Sequence, residues 1–223
     1  MKNSATESRE NKAKKLFFSP GAMSIIHMGE ELIGHPTTAI NELVKNSYDA
    51  DANICNIYFH IEKSSNKSFL ILKDDGIGMD QNLLFGKWLQ PSVSEKRKNG
   101  VKSKKYKRSF LGNKGIGRLA AMSLGQFVTV ITRKNSKSEY SWLTLDRESF
   151  RTEGKFLSEV TFPGDSISNY ENLFSNREIL EIRNSKKNET LLSILKRNSL
   201  DRFNSGTLIV VENLDMSLMR NHF

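Results

Sequence analysis

The segment Asn41–Asp51, NELVKNSYDAD, carries the side chains best suited to chemistry. At about 3.6 residues per helical turn, Glu42, Asn46 and Asp49 share one side at i, i+4 and i+7, while Ile40, Leu43, Val44, Ser47 and Tyr48 fall on another. One face packs, and the other presents a carboxylate and a carboxamide one turn apart. Glutamate can accept a proton from water and an asparagine carbonyl oxygen suits magnesium, so the pair fits a site where a base sits beside a metal ion. A solvated helix face with two polar residues reads the same way, so the pair needs support from elsewhere in the chain.

Two glycine-rich turns supply it. Asp74-Asp75-Gly76-Ile77-Gly78-Met79 follows a strand read at Phe69–Leu72, which puts an acid at a strand end where it can accept a hydrogen bond from an exocyclic amine. Glycines there let the backbone approach a ligand closely, although ordinary hairpins and calcium loops use the same combination. Gly112-Asn113-Lys114-Gly115-Ile116-Gly117 places three glycines before a helix read from Arg118 to Leu124, and exposed amides at a helix start favour phosphate. This second turn lacks the Gly-Lys-Ser or Gly-Lys-Thr ending of a P-loop and does not fit the dinucleotide fingerprint.

The elements that must hold these groups can be read in order. Residues 1–15 are polar and charged and read as a flexible arm. Leu16, Phe17 and Phe18, before Ser19-Pro20-Gly21, are expected to dock that arm through its aromatics. A short helix is expected over Met23–Leu32, and Pro36 starts the next, where its missing amide does no harm. A strand pattern follows at Ile54, Ile57, Phe59 and Ile61, then Phe69–Leu72, then a helix from Asp80 to Leu89 with Asp80 as its cap. Phe127–Arg133, Tyr140–Asp146 and Glu159–Phe162 read as a three-stranded meander, Leu208–Val211 as a final strand, and Gly125 as a helix cap. Residues 165–204 look like a polar insertion with one helix at Thr190–Lys196, leaving residues 16–223 as a single domain with a basic loop at about 90–111.

Charge and cysteine content narrow the classes. The 223-residue chain has a net charge of +9, but eight positive charges and no acid lie between Lys96 and Arg108, and without them the net is +1. The basicity is local, which argues against a uniformly basic nucleic-acid binder and for one charged loop, open to the triphosphate of a nucleotide, to nucleic acid or to solvent. Cys55 is the single cysteine, so an intrachain disulfide and a thiolate metal cluster are excluded and a cytoplasmic location is expected. The sequence has no apolar run of membrane-spanning length and no signal-peptide pattern, so no membrane partner is expected. His27, His35, His60 and His222 lack ligand-like spacing, and Trp88 and Trp142 read as core residues.

The order of the pieces is more specific than any one of them. An acid-amide helix, a strand ending in Asp-x-Gly-x-Gly, a basic loop, a Gly-x-x-Gly-x-Gly helix start and Gly206-Thr207 before a strand together resemble the GHKL ATPases: gyrase B, the ninety-kilodalton heat-shock chaperone, histidine kinases and MutL. The wording ELVKNSYDADA and DDGIGM is nearer the chaperone, MutL and MORC branches than the kinases. The resemblance covers roughly residues 16–131 and 205–214. It implies an α+β fold of the Bergerat type, a two-layer sandwich in which helices cover one face of a mixed, mostly antiparallel sheet.

It also implies roles. Glu42 would be the general base, Asn46 the magnesium ligand, Asp49 a helper in the pocket and Asp74 the acceptor for the adenine amine. Gly76, Gly78 and Met79 would lie beside the base, with Thr207 a second adenine contact, and the amides of Gly112, Asn113, Lys114, Gly115, Ile116 and Gly117 would cradle the phosphates. The Lys114 side chain either approaches the phosphates or stays exposed. The expected function is ATP hydrolysis with Mg2+ acting as a dimerisation switch, and the expected partners are ATP, a second copy of the chain and nucleic acid at Lys96–Arg108. A binding module with little hydrolysis is the alternative, and a histidine-kinase catalytic domain a more distant one. Hydrolytic relatives continue into a second domain beyond the Gly-Thr strand, so the chain is expected to be a module of a larger protein, slow in isolation.

Overall fold

The computed structural model describes residues 18–32, 35–62, 67–90, 101–112, 117–182 and 186–219. The described residues open with helix α1 (Met23–Leu32) and helix α2 (Pro36–Asp49), both where the apolar spacing puts them, with proline in the first turn of α2. Strands β1 (Cys55–His60) and β2 (Phe69–Asp74) follow, then a π-helical turn at Leu83–Trp88, whose approach is capped by the Asp80 carboxylate accepting from the Leu83 amide at 2.9 Å. A 3-10 turn at Gly117–Leu119 leads into helix α3 (Ala120–Leu124) and strand β3 (Gly125–Arg133). After β4 (Tyr140–Asp146) come β5 (Gly164–Ile167), α4 (Arg177–Ile182), α5 (Glu189–Arg197), β6 (Gly206–Leu214) and α6 (Met216–Met219).

The strands form one sheet in the order β1-β2-β6-β3-β4-β5, and every pairing in it is antiparallel. β6, last of the strands in the chain, therefore sits between β2 and β3 and brings Thr207 beside Asp74 and Thr132. Strand alternation divides the apolar side chains between two cores. Leu70, Leu72, Val128, Val130, Ile209 and Val211 face α1, α2 and α3, where Ile25, Leu43, Ala120 and Leu124 close the layer. This is the α+β arrangement of helices on a largely antiparallel sheet that the resemblance implies.

The opposite face is covered as well. Phe69, Ile71, Ile131, Trp142, Leu208 and Val210 pack under Tyr170, Leu173, Phe174, Leu191 and Leu195. The polar segment read as an insertion is thus amphipathic. Asn188 caps α5 by accepting from the Leu191 amide at 3.0 Å, and Leu191 and Leu195, one turn apart, enter the core. Its helical content also includes α4 and a 3-10 turn at Tyr170–Phe174, shorter than sequence periodicity resolves.

Several boundaries differ from expectation. The third strand of the meander lies at Gly164–Ile167, not Glu159–Phe162: the Glu159 carboxylate folds back to accept the Phe156 amide at 2.7 Å, making a 3-10 turn of Leu157–Glu159. Gly125 has extended backbone and begins β3 instead of closing a left-handed cap. Val44 and Tyr48 are exposed, because the packed stripe of α2 follows Ala39, Leu43 and Ser47. Phe18 is fully exposed and anchors nothing among the described residues; this segment is held by backbone hydrogen bonds from Leu157 to Pro20 (2.9 Å) and from Ala22 to Lys155 (2.8 Å). Residues 1–17, including Leu16 and Phe17, lie outside the described residues. Among the described residues no helix is long and apolar enough to cross a membrane.

The second core makes a direct prediction. Phe174 is 1 % exposed, so Phe174→Ala removes a buried aromatic and should lower unfolding stability by about 3–5 kcal/mol. Denaturant titration reads this, and a loss below about 1 kcal/mol would separate residues 170–200 from the domain's cooperative unit.

Candidate functional site

Asp74 ends β2 with its side chain 4 % exposed, so its carboxylate must find donors inside the protein. Three arrive. The Gly76 and Thr207 amides donate to Oδ1 at 2.9 and 3.2 Å, and the Ser47 hydroxyl on α2 donates to Oδ2 at 3.2 Å. Burial pushes the Asp74 carboxyl above its usual range, while the Gly76 amide, the Lys73 ammonium, the Ser47 hydroxyl and the Thr207 amide act against that push.

Met79 and Thr207 meet through a residue that sequence reading passed over. The Thr132 hydroxyl accepts from the Met79 amide at 2.8 Å and donates to the Gly206 carbonyl at 3.0 Å, with the Thr207 hydroxyl 3.2 Å away. Gly78 and Gly206 are required here. Both have positive φ, and a Cβ on Gly78 would lie 2.0 Å from the Arg133 carbonyl oxygen, one on Gly206 2.1 Å from that of Asp74. Thr132 lies opposite Thr207 across the β3–β6 pairing, a relation that appears only with the strand register.

The other end of α2 meets the second glycine turn. A Cβ on Gly117 would stand 3.2 Å from Asn46 Nδ2 and 3.3 Å from Glu42 Oε2, so that glycine leaves its backbone against the carboxamide and the carboxylate. Gly112 approaches the same helix face: its amide donates to Asp49 Oδ2 at 3.0 Å, and the Leu111 amide donates to Oδ1 at 2.8 Å. Glu42 is half-buried and ion-pairs with Lys45 at 2.7 Å. Of the residues singled out in the sequence, Glu42, Asn46, Asp49, Gly112 and Gly117 thus gather at one place, and Asp74, Gly76, Gly78, Met79 and Thr207 at another, both along α2. Asn113, Lys114, Gly115 and Ile116 lie outside the described residues.

Residues 101–112 of the basic loop are docked on the C-terminal end of α2. Lys102 and Ser109 form a bridge, and the Ser103 amide donates to the Arg108 carbonyl at 2.9 Å, giving a small hairpin. Asp51, in the left-handed region at φ 60°, receives the Ser103 hydroxyl and the amides of Lys105 (2.7 Å) and Tyr106 (3.2 Å). Burial alone would raise the Asp51 carboxyl, but these donors and the Arg108 guanidinium hold it below the usual range. Arg108 donates to the Ala52 and Tyr48 carbonyls at 2.6 and 3.2 Å and lies 4.7 Å from the ring centres of both Tyr48 and Tyr106. Lys102, Lys104, Lys105 and Lys107 remain exposed. A cavity of about 650 Å³ separates Lys104 and Lys105 from the Asp75–Gly78 turn and Lys134.

A family model described as histidine kinase-, DNA gyrase B- and HSP90-like ATPase matches residues 35–179, which span α2, both glycine turns and the sheet as far as β5. The chain belongs to this family. Its members are ATP-binding domains, the fold is the Bergerat type, and the fold and family expected from the sequence both stand. A crystal structure of the N-terminal domain of a DNA repair protein is similar at 20 % identity and a TM-score of 0.45, covering 88 % of this chain and 41 % of that one. This chain therefore spans less than half the length of that structure. No curated protein matches the sequence.

The Asp51 latch can be tested alone. Asp51→Asn keeps the preference for left-handed backbone but turns one acceptor oxygen into a donor facing donors. Hydrogen exchange should show lost protection at Lys105 and Tyr106 while β3 and β6 stay protected; unchanged protection would exclude the latch. Because the folded-state pKa is lowered, the latch contributes above the ordinary aspartate value and should weaken in the parent only as pH falls below it.

Proposed function

We propose that this chain binds ATP with magnesium and hydrolyses it, using α2 as the rail between the two ends of the nucleotide. The observation that carries this reading is that Glu42 and Asn46 abut Gly117 while Ser47, on the same helix, holds Asp74. Glu42 and Ser47 are separated by about 7.5 Å along the helix axis, which with side-chain reach at both ends is the scale of a nucleotide from base to terminal phosphate.

Asp74, an acceptor fed by three donors, takes the exocyclic amine of adenine, and the Thr207 hydroxyl lies within reach of the same edge. Gly78 and Met79 lie against that edge because Thr132 holds the Met79 amide. The stretch 112–117 is assigned to the phosphates, with the Gly112 amide engaged by Asp49 and Gly117 beginning the helical turn that leads into α3. Glu42 orients a water and accepts its proton. The Asn46 carbonyl oxygen and the Glu42 carboxylate, brought together against the Gly117 backbone, fit a hard cation sharing its oxygen ligands with phosphate. Magnesium, when bound, supplies charge neutralisation on the phosphates.

The docked hairpin supports a switch. Asp49 and Asp51 tie residues 101–112 to the helix that carries Glu42 and Asn46, so a nucleotide that rearranges this segment would alter the surface around it and favour pairing of two copies. The exposed lysines around Tyr106 favour a second reading, a nucleic-acid contact at the same hairpin.

Glu42→Ala should keep ATP binding within about threefold while losing phosphate release by about a hundredfold or more, whereas Asp74→Asn should lose binding. Equal turnover by Glu42→Ala and the parent would remove Glu42 from its role. Sedimentation with a nonhydrolysable ATP analogue should show a dimer that Asp74→Asn does not form; no change in the parent rules out the switch. If nucleic acid binds the hairpin, replacing Lys104, Lys105 and Lys107 with glutamine should lower its affinity and flatten its salt dependence, and an unchanged salt slope excludes that contact.

A further inference from the structure

Removing a lysine from water opposes its charged form, and lysine is rarely buried without a partner. Lys73, immediately before Asp74, is 9 % exposed. Strand alternation points it away from the nucleotide side into the second core, beside Phe69 and Ile71. Its Nζ lies 4.0 Å over the Phe203 ring, donates to the Asp74 carbonyl oxygen, and stands 3.0 Å from where a Cβ on Gly206 would be. Among the described residues its partners are thus one carbonyl and one ring face. Burial lowers its pKa, with Asp74 and Asp75 acting against that.

The groups around Asp74 differ in what they can do for it. Ser47, Gly76 and Thr207 supply neutral donors, and the Cys55 thiol, beside Ser47 at 3.5 Å, is pushed up by burial and stays protonated. Asp75 Oδ1 accepts the Asn53 and Ile54 amides. Lys73 is the cation in this set. An ionised carboxylate only accepts hydrogen bonds, whereas a protonated one also donates. A 6-amino purine presents a donor at its edge and a 6-oxo purine an acceptor, so the charge carried by Asp74 decides which base fits.

We propose that Lys73 is a specificity-determining positioning residue: its ammonium, trapped between the Asp74 carbonyl and the Phe203 ring, keeps the Asp74 side chain acceptor-only and so selects 6-amino over 6-oxo purine nucleotides. This rests on the placement of the base at Asp74. Because Phe203 belongs to the segment covering the second core, that segment contributes to base choice without touching the nucleotide.

The test is titration of the parent, Lys73→Met and Lys73→Arg with ATP and with inosine triphosphate, each with magnesium, by calorimetry. Lys73→Met should weaken ATP binding about tenfold and inosine triphosphate binding much less, so that the ratio of the two affinities falls, and Lys73→Arg should restore the ratio. Equal losses for both nucleotides, or no loss, overturn the proposal, since a purely structural lysine would not move the ratio. Absence of ATP binding by the parent overturns the nucleotide reading itself. Should Lys73→Met not fold, Phe203→Leu admits water to the ammonium and must lower the same ratio by a smaller factor; an unchanged ratio there overturns the proposal.

Discussion

A carboxylate shut away from water has to be supplied with hydrogen-bond donors, and at Asp74 meeting that demand fixes much of the architecture. The donors come from three separate stretches of chain: Ser47 on α2, Gly76 in the following turn and Thr207 on β6. Satisfying them locks the helical layer to the sheet, sets the turn, and brings the last strand between β2 and β3. Leaving one unmade would strand a buried charge, which costs more than the bond itself contributes. The strand ends must then lie so close that side chains at Gly78 and Gly206 would overlap neighbouring carbonyls.

The same logic explains the end of α2. A helix C-terminus carries partial negative charge, yet Asp49 closes this one and Asp51 follows two residues later. Amides from Lys105, Tyr106, Leu111 and Gly112 answer the two carboxylates, and Arg108 answers the Tyr48 and Ala52 carbonyls. One positive charge of the basic loop is therefore consumed by docking, while the exposed lysines beside it are not.

What the sequence revealed and what it hid follow from the physics of each position. Glu42, Asn46 and Asp74 could be found because helix spacing and strand-end glycines are local signals. The packed stripe of α2 departs from the periodic pattern at Val44 and Tyr48, because which side of an amphipathic helix closes depends on what lies across from it; Tyr48 is instead taken by Arg108, sixty residues on. Ser47 was legible as a packing residue but not as a donor, since its partner is known only once β2 is in place. Thr132 and Lys73 depend on strand register, which no single segment encodes. Residues 165–204 looked polar because their apolar side chains come in short turns, too brief for periodicity to stand out, and Phe203 lies beyond the last of them.

The back-to-back arrangement of two cores on one sheet also separates the tryptophans. Trp142 is buried in the second core near Tyr140, whereas Trp88 rests half-buried against the first, at the end of the π-helical turn. The two indoles occupy opposite sides of the molecule in different dielectric surroundings, so their emission gives each layer its own optical signal within the unlabelled chain.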